Sequence, residues 1–245
     1  AADRRVDISY HQYSDVSLRD FVGALARRKL PRFREKVTYH DNLKAPARKA
    51  SSRRPALRVN EMLLEINRFL AKHPGYFVFA ESGDMLFAGL ELRLRGGLYC
   101  AQGYYASMGF GVPAAMGAQI GTGMRPIVLS GDGAFQMTGI EVSHAPKYGL
   151  SPIVVVVNNG GWGIFRPVSP REDLLEIPNW PYAELARCWG GAGFVAETPS
   201  ELRDALRAAH EVNGFVIIEA RVPPDDLSPI SRRYIRESAR KATAT

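Results

Sequence analysis

The sequence has few cysteines and no long apolar run. Its 245 residues include only Cys100 and Cys188, too few for the disulfide framework of a small secreted domain, so a reducing cytoplasmic compartment is expected. No apolar run approaches the roughly 18 residues that cross a membrane, and the charged N-terminal residues do not resemble a signal peptide. The composition argues against disulfide-rich and membrane-spanning classes.

Acidic residues are scarce in one segment, residues 19–58. It holds 13 lysines and arginines but 3 acidic residues, whereas the whole chain has a net charge of +7. The basic charge therefore belongs to this segment and not to the folded body. A nucleic-acid-binding surface would interleave aromatic residues, and only Phe33 and Tyr39 are present, so a solvated linker is favoured. Nucleic-acid binding through the cations between Arg27 and Arg54 is the alternative, and it predicts steep salt dependence.

The remaining sequence is typical of one large domain with an N-terminal appendage. Hydrophobic residues make up 46% of the chain, enough for a sizeable core. Residues 1–28 predict a strand at 6–10 and a helix at 18–27, which look like the trailing edge of another domain. Residues 29–56 have the prolines, serines and cations of a linker. Residues 57–245 then alternate regularly between helical and strand patterns.

This alternation predicts an α/β fold with an open parallel sheet and helices on both faces. Short apolar runs indicate buried strands, at residues 76–80, 98–101, 126–129, 153–157, 194–197 and 215–220. Helical spacing or a high Gly and Ala content indicates helices, at residues 59–70, 109–120, 182–189 and 200–211. A loop is expected at residues 81–85, and the polar tail, residues 223–245, is expected to fray.

Two short polar motifs follow the third and fourth of these apolar runs. The first is Gly131, Asp132 and Gly133, and the second is Asn158 and Asn159. A segment long enough for one helix separates them, so the unit is a strand–helix–strand crossover. Such a crossover places the carboxyl ends of both strands at the same edge of the sheet. Asp132 and Asn159, 27 residues apart, can therefore converge.

Oxygen ligands at this edge predict a Mg²⁺–diphosphate site. Mg²⁺ prefers a few protein oxygens together with the phosphates of a ligand, and Asp132 and Asn159 supply a carboxylate and an amide. The flanking glycines allow the backbone to approach a phosphate, and a helix starting near Ala134 would direct its N-terminus there. Either motif alone is typical of a turn, but both together at crossover spacing indicate the clamp.

Three motifs together resemble the diphosphate-binding domain of thiamine-diphosphate-dependent enzymes. The first is the G-D-G…N-N pair. The second, Y-Y-A-S-M-G-F-G-V-P-A-A at 104–115, and the third, E-S-G-D at 81–84, resemble 2-oxo acid decarboxylases. The resemblance covers about residues 57–235 and is strongest to indolepyruvate and phenylpyruvate decarboxylases. Residues 1–28 resemble the end of the middle domain that precedes this domain in such enzymes.

The resemblance implies a role for each matching residue. The side chains of Asp132 and Asn159 and the carbonyl of Gly161 would bind Mg²⁺. Met108 would be an apolar wedge beneath the thiazolium ring, because a flexible thioether can hold the cofactor bent; plain core packing is the alternative. The Ala106 carbonyl would accept a hydrogen bond from the pyrimidine amine. The rest of the implied cofactor-binding set is Ser82, Gly83, Asp84 and Gly131, with the amides of Gly133, Ala134, Gly163 and Ile164.

The same resemblance implies decarboxylation of a 2-oxo acid to an aldehyde, with thiamine diphosphate and Mg²⁺ as cofactors. Phe165 stands where pyruvate-type decarboxylases commonly have a glutamate, and Trp162 matches phenylpyruvate-type members. With Met108 these are the catalytic-site candidates, and the aromatic pair indicates a wall for a bulky aryl substrate. Packing of both rings beneath the loop is the alternative. The alternative functions are an acetolactate synthase-like carboligase and a non-catalytic cofactor-binding module.

One group that such enzymes need is missing from the sequence. The glutamate that activates the cofactor, and the histidine pair used for proton transfer, belong to a separate pyrimidine-binding domain, usually of a neighbouring subunit. Glu141, on the crossover helix, is a poor substitute. We therefore expect the chain to be a small subunit or a fragment that works in an oligomer with a partner domain, without membrane contact. No two histidines are adjacent, and a structural role is favoured for His11, His40, His73, His144 and His210.

Overall fold

The computed structural model describes residues 5–8, 10–29, 56–94 and 96–242. The chain forms two compact units, Ala1–His40 and Asp41–Thr245. The expected linker, residues 29–56, lies almost wholly outside the described residues, and so do Phe33, Tyr39 and His40.

The first unit contains a hairpin followed by a helix. Strands β1 (Arg5–Ile8) and β2 (His11–Ser14) pair antiparallel, where the sequence predicted a single strand at 6–10. Helix α1 (Leu18–Arg27) has the predicted bounds. The hydroxyl of Ser17 accepts a hydrogen bond from the amide of Asp20 at 3.1 Å, which is a typical side-chain cap at a helix start. None of the residues in α1 is buried.

The second unit is built on a six-stranded parallel sheet. Its strands are β3 (Phe77–Ala80), β4 (Tyr99–Ala101), β5 (Pro126–Gly131), β6 (Ile153–Asn158), β7 (Ala192–Ala196) and β8 (Val216–Arg221). Their order is β4-β3-β5-β6-β8-β7, and every pairing is parallel. All six strands lie where the sequence predicted them, with bounds shifted by at most two residues. The sequence of β6, IVVVVN, is buried throughout, as expected for a strand covered on both faces.

Helices cover both faces of the sheet, as predicted. They are α2 (Val59–Lys72), α3 (Asp84–Ala88), α4 (Gly111–Thr122), α5 (Asp132–Thr138), α6 (Ala145–Tyr148), α7 (Tyr182–Cys188), α8 (Pro199–Glu211) and α9 (Pro229–Ala242). Successive residues of β5 point to opposite faces. Ile127 and Leu129 belong to the core that contains α2 and α8, whereas Val128 belongs to the core that contains α4 and α7.

Two further expectations about local structure were wrong. The expected loop at 81–85 contains the start of α3. The tail that was expected to fray forms α9, and the residues before this helix are anchored, since Asp226 is 2% exposed and Leu227 3%. Hydrogen bonds link Asp226 and Ser228 to the distant residues Val59 and Asp84 and hold this segment, and the sequence alone does not reveal such bonds. Within the described ranges, no helix combines the length and hydropathy needed to cross a membrane.

Candidate functional site

Three neighbouring strands bring the predicted motifs to one edge of the sheet. Strand β5 lies between β3 and β6, so the E-S-G-D, G-D-G and N-N motifs follow adjacent parallel strands. A cavity of about 260 Å³ opens at this edge. Every predicted site residue lies on its wall: Ser82, Gly83, Asp84, Ala106, Met108, Gly131, Asp132, Gly133, Ala134, Asn159, Gly161, Trp162, Gly163, Ile164 and Phe165.

Asp132 and Asn159 converge at the centre of this edge. The carboxylate of Asp132 accepts three hydrogen bonds from backbone amides. Its Oδ1 accepts from Gly133 at 2.8 Å, and its Oδ2 accepts from Asn159 at 3.2 Å and from Gly161 at 3.0 Å. The amide of Gly161 also lies 3.2 Å from Oδ1 of Asn159, which accepts from it. One backbone amide therefore joins the two side chains that were predicted to bind a cation.

The electrostatics of Asp132 favour a bound cation. The side chain is 2% exposed, and this burial raises the pKa of its carboxyl group, against the opposing effect of the backbone amides of Gly133 and Gly161. A buried carboxylate is costly unless it is paired, and the groups that stabilise its charge here are backbone amides. A divalent cation beside Asp132, Asn159 and the Gly161 carbonyl would complete the site.

The oxygen donors fit a hard cation better than a soft one. Carboxylate, amide and carbonyl oxygens are the ligands that Mg²⁺ takes, usually with ligand phosphates completing the shell. Among the residues that the structure describes, no group of three or more His, Cys, Asp and Glu side chains is placed to hold a metal ion. The arrangement thus suits a cation that brings a phosphate ligand with it.

Two glycines make room for close backbone packing around the clamp. Gly161 has φ +152°, and a Cβ atom there would collide with the carbonyl of Leu175, which accepts a hydrogen bond from the amide of Trp162 at 2.8 Å. A Cβ atom at Gly133 would collide with the ring of Trp162. A larger residue at Gly133 would push against the Trp162 ring, and one at Gly161 would push against the backbone of Leu175 within the loop after β6.

Trp162 and Phe165 have different surroundings. Trp162 is partly buried and packs against Gly133, so its ring contacts the first turn of α5. Phe165 ends the 3₁₀ segment Gly163–Phe165 and is 51% exposed. Both line the cavity. The alternative of packing beneath the loop thus describes Trp162 better than Phe165, whose ring is available to a ligand.

Met108 lies on the cavity wall, on the turn that precedes α4. Its side chain is 41% exposed, so it is not part of the hydrophobic core. Ala106 lies in the same turn and has φ +50°, a value that is uncommon for a residue with a Cβ atom. Both residues border the cavity.

Asp84 is held by residues that the sequence analysis missed. Its Oδ1 accepts a hydrogen bond from the hydroxyl of Ser228 at 2.5 Å, and its Oδ2 accepts from the Ser228 amide at 2.8 Å. Burial raises the pKa of Asp84, and the hydrogen bonds from Ser228 oppose this rise. Asp226, also on the cavity wall, accepts from the amide of Val59 at 2.7 Å and pairs with Arg232. The pair Ser228–Pro229 at the start of α9 is a sequence signal for the start of a helix, but nothing in the sequence indicates that Ser228 also binds Asp84.

The histidines of the second unit lie away from the cavity. The rings of His73 and His210 are in contact, with centroids 4.1 Å apart and planes tilted by 42°, and Nδ1 of His210 is 2.8 Å from the hydroxyl of Tyr76. His144 is exposed and lies 3.7 Å from the exposed carboxylate of Glu141. The cavity wall includes neither these histidines nor Glu141. The cavity therefore has no histidine pair and no glutamate of its own among the described residues.

Comparison with known proteins agrees with this geometry. Residues 83–220 match the family described as "Thiamine pyrophosphate enzyme, C-terminal TPP binding domain". The chain is 36% identical over 98% of its length to a protein of Azospirillum brasilense named indole-3-pyruvate decarboxylase, and the match covers 44% of that protein. It is 34% identical over 71% of its length to an alpha-keto-acid decarboxylase of Mycobacterium leprae, of which 32% is covered.

The chain spans less than half the length of these curated relatives. The family match, in contrast, covers more than half of the chain and contains both the G-D-G and the N-N motif. The cavity with its convergent oxygens lies within the matched segment, apart from a few wall residues. The chain therefore belongs to the family of C-terminal thiamine pyrophosphate-binding domains of thiamine pyrophosphate enzymes.

Proposed function

We propose that this chain supplies the Mg²⁺–diphosphate half of an active site that decarboxylates a bulky aryl 2-oxo acid to an aldehyde. The observation that carries the proposal is the convergence of Asp132, Asn159 and Gly161 on one cavity edge. The names of the relatives, which describe decarboxylation of indole-3-pyruvate and of alpha-keto acids, support the same reaction class.

In this proposal the residues of the chain have distinct tasks. Asp132, Asn159 and the Gly161 carbonyl would hold Mg²⁺, and the amides of Ala134 and Ile164 would face the diphosphate. The amides of Gly133 and Gly163, which were also expected to face it, donate to Asp132 and to the Gly161 carbonyl. Thiamine diphosphate supplies the electron sink for loss of CO₂ when it is bound. Met108 and the Ala106 carbonyl would orient the organic part of the cofactor.

The substrate class follows from the apolar character of the wall. Phe165 is half exposed and lines the cavity beside Trp162, so an aryl side chain would gain apolar contact there. An apolar wall also favours decarboxylation, because the reacting carboxylate loses its charge as CO₂ forms. The relative that is named for indole-3-pyruvate is consistent with an aryl substrate.

A partner domain is needed to complete the site. The curated relatives are more than twice as long as this chain, and the described cavity wall contains no glutamate. We propose that a pyrimidine-binding domain, in the same oligomer, supplies the activating glutamate. Tyr104 and Tyr105, 90% and 78% exposed beside the cavity turn, provide apolar surface for such a contact.

Calorimetric titration of the full chain with thiamine diphosphate and Mg²⁺ tests the cofactor assignment. We expect weak, saturable binding that a chelator abolishes; absence of binding would contradict the proposal. Decarboxylation should appear only after addition of the partner domain, and turnover by the chain alone would refute the partner requirement.

Product analysis with the reconstituted enzyme tests the reaction and the substrate class. Phenylpyruvate should react faster than pyruvate, and the product should be an aldehyde. A preference for pyruvate would overturn the aryl assignment. Formation of a 2-hydroxy ketone would identify a carboligase, and tight cofactor binding without turnover would identify a non-catalytic module.

A further inference from the structure

The turn that carries Ala106 and Met108 is held in a conformation it would not adopt alone. Ala106 has φ +50°, and alanine has no side-chain hydrogen bond to favour that region. Backbone strain of this kind persists only where the surroundings enforce it. Part of the enforcement is local: Oε1 of Gln102 accepts hydrogen bonds from the amides of Tyr105 at 3.0 Å and Ala106 at 3.1 Å.

Glu81 fixes the other end of this turn. It follows the last residue of β3 and is 1% exposed. Its Oε2 accepts a hydrogen bond from the amide of Gly109 at 3.1 Å, and its Oε1 accepts from the amide of Gly111, the first residue of α4, at 2.5 Å. A Cβ atom at Gly111 would collide with the Glu81 side chain. A buried carboxylate thus fastens the turn to the end of a core strand.

Thr138 holds the same turn from the opposite side. Its hydroxyl donates to the carbonyl of Gly109 at 2.6 Å. Gly109 has φ +88°, and a Cβ atom there would collide with Thr138. The amide of Gly109 is therefore held from β3 and its carbonyl from α5. Strand β3 ends directly before the E-S-G-D motif, and α5 begins within the G-D-G motif.

We infer that Glu81, together with Thr138, is a positioning residue that sets Ala106 and Met108 for the organic part of the cofactor. The inference rests on the proposed function. Glu81 is not on the cavity wall, so it acts through the turn rather than by touching a ligand. The Mg²⁺–diphosphate clamp follows other strands, β5 and β6, and the hydrogen bonds of the Glu81 carboxylate go to Gly109 and Gly111.

The substitution Glu81→Gln distinguishes binding of the organic part of the cofactor from binding of its diphosphate. Its amide nitrogen cannot accept a hydrogen bond, so one of the two glycine amides loses its partner. Loss of a hydrogen bond to a charged group corresponds to a change of about 10-fold or more in an equilibrium constant. We expect the affinity for thiamine diphosphate with Mg²⁺ to fall by about that factor, while the affinity for inorganic pyrophosphate with Mg²⁺ stays the same. Hydrogen exchange should accelerate at Gly109 and Gly111 but not in β5 or β6.

Two further variants keep the test decisive. Glu65→Gln alters a carboxylate that is also buried, on α2, where it binds Arg68 and Arg203 away from the cavity, and it should change neither affinity. Thr138→Val keeps the side-chain shape and removes only the hydroxyl, so it should repeat the selective loss if Glu81→Gln does not fold.

The outcomes distinguish this inference from the proposed function. Equal losses for both ligands, or no loss for either, in Glu81→Gln and Thr138→Val would overturn the positioning role. If the wild-type chain binds neither ligand, the proposed function fails. The exchange rates at Gly109 and Gly111 then decide, without any ligand, whether Glu81 holds the turn.

Discussion

The two edges of the parallel sheet carry hydrogen-bonded charges of opposite sign. At the carboxyl edge, buried acids accept hydrogen bonds from amides in the first turns of helices: Asp226 at α2, Glu81 at α4 and Asp132 at α5. At the amino edge, Arg125 donates to the carbonyls of Ser151 at 2.6 Å, His210 at 3.0 Å and Gly214 at 3.1 Å.

The direction of the chain explains this division. In a parallel sheet the crossover helices run back against the strands, so they begin at the carboxyl edge and end at the amino edge. Unpaired amides therefore gather at one edge and unpaired carbonyls at the other, and acids and cations are stabilised at these ends respectively. Arg125 uses its donors on fixed carbonyls and is not on the cavity wall, whereas Asp132 and Asn159 line the cavity. A charged side chain at a sheet edge therefore indicates a binding site only where it also borders an open cavity.

The sharpest test of this contrast is Asp132→Asn. Loss of the charge should weaken binding of thiamine diphosphate with Mg²⁺ by about 1,000-fold, or roughly 4 kcal/mol, because a cation would lose its carboxylate. The free energy of unfolding should change by less than about 1 kcal/mol, because relief of an unpaired buried charge offsets the weakened hydrogen bonds. Calorimetry and chemical denaturation measure the two effects. Asp204→Asn, at an exposed ion pair with Arg207, is the control and should change neither.

The counterpart at the amino edge is Arg125→Met. Three carbonyls would lose their shared donor, which should lower the free energy of unfolding by about 3 kcal/mol. Cofactor affinity should stay within a factor of about two, because the site lies at the other edge. Chemical denaturation and calorimetry again provide the readouts. A large loss of affinity in Arg125→Met would show that the two edges are not independent, and the contrast would fail.

Ser228→Ala tests how the C-terminal segment supports the carboxyl edge. Removing the hydroxyl that donates to Asp84 should cost about 1–2 kcal/mol of unfolding free energy at pH 7 and raise the pKa of Asp84 further above its ordinary value. An acid with a raised pKa binds its proton more tightly in the folded state. Its contribution is therefore complete at low pH and is lost as pH rises through the folded pKa.

Chemical denaturation of Ser228→Ala should consequently show a smaller deficit at pH 4 than at pH 7. Ser169→Ala, whose hydroxyl contacts Arg171 at the surface, is the matched control and should lose little at either pH. A deficit in Ser228→Ala that does not change with pH would mean that the hydroxyl supports α9 and not the charge of Asp84.

The sequence predicted the features that depend on neighbouring residues or on chain direction. The apolar run of β6 and the crossover between Asp132 and Asn159 are of this kind, because parallel topology alone brings two strand ends together. The contact of Asp84 with Ser228, 144 residues away, is not. A polar side chain can reach many partners, and only the packed fold selects one. For the same reason the sequence does not predict the hydrogen bond between Glu81 and the amide of Gly109.

The smallest expected effect is a dependence of stability on pH at the amino edge. Burial and the nearby His210 lower the pKa of His73 below 6.5, with a smaller contribution from Lys72 and an opposing one from Glu211. The unfolded chain then binds more protons than the folded one, so the free energy of unfolding should rise with pH until about pH 6.5 and level off above it. His73→Gln should flatten this rise, measured by chemical denaturation between pH 5 and 7.5. An equally steep rise in the variant would show that titrating groups other than His73 cause it.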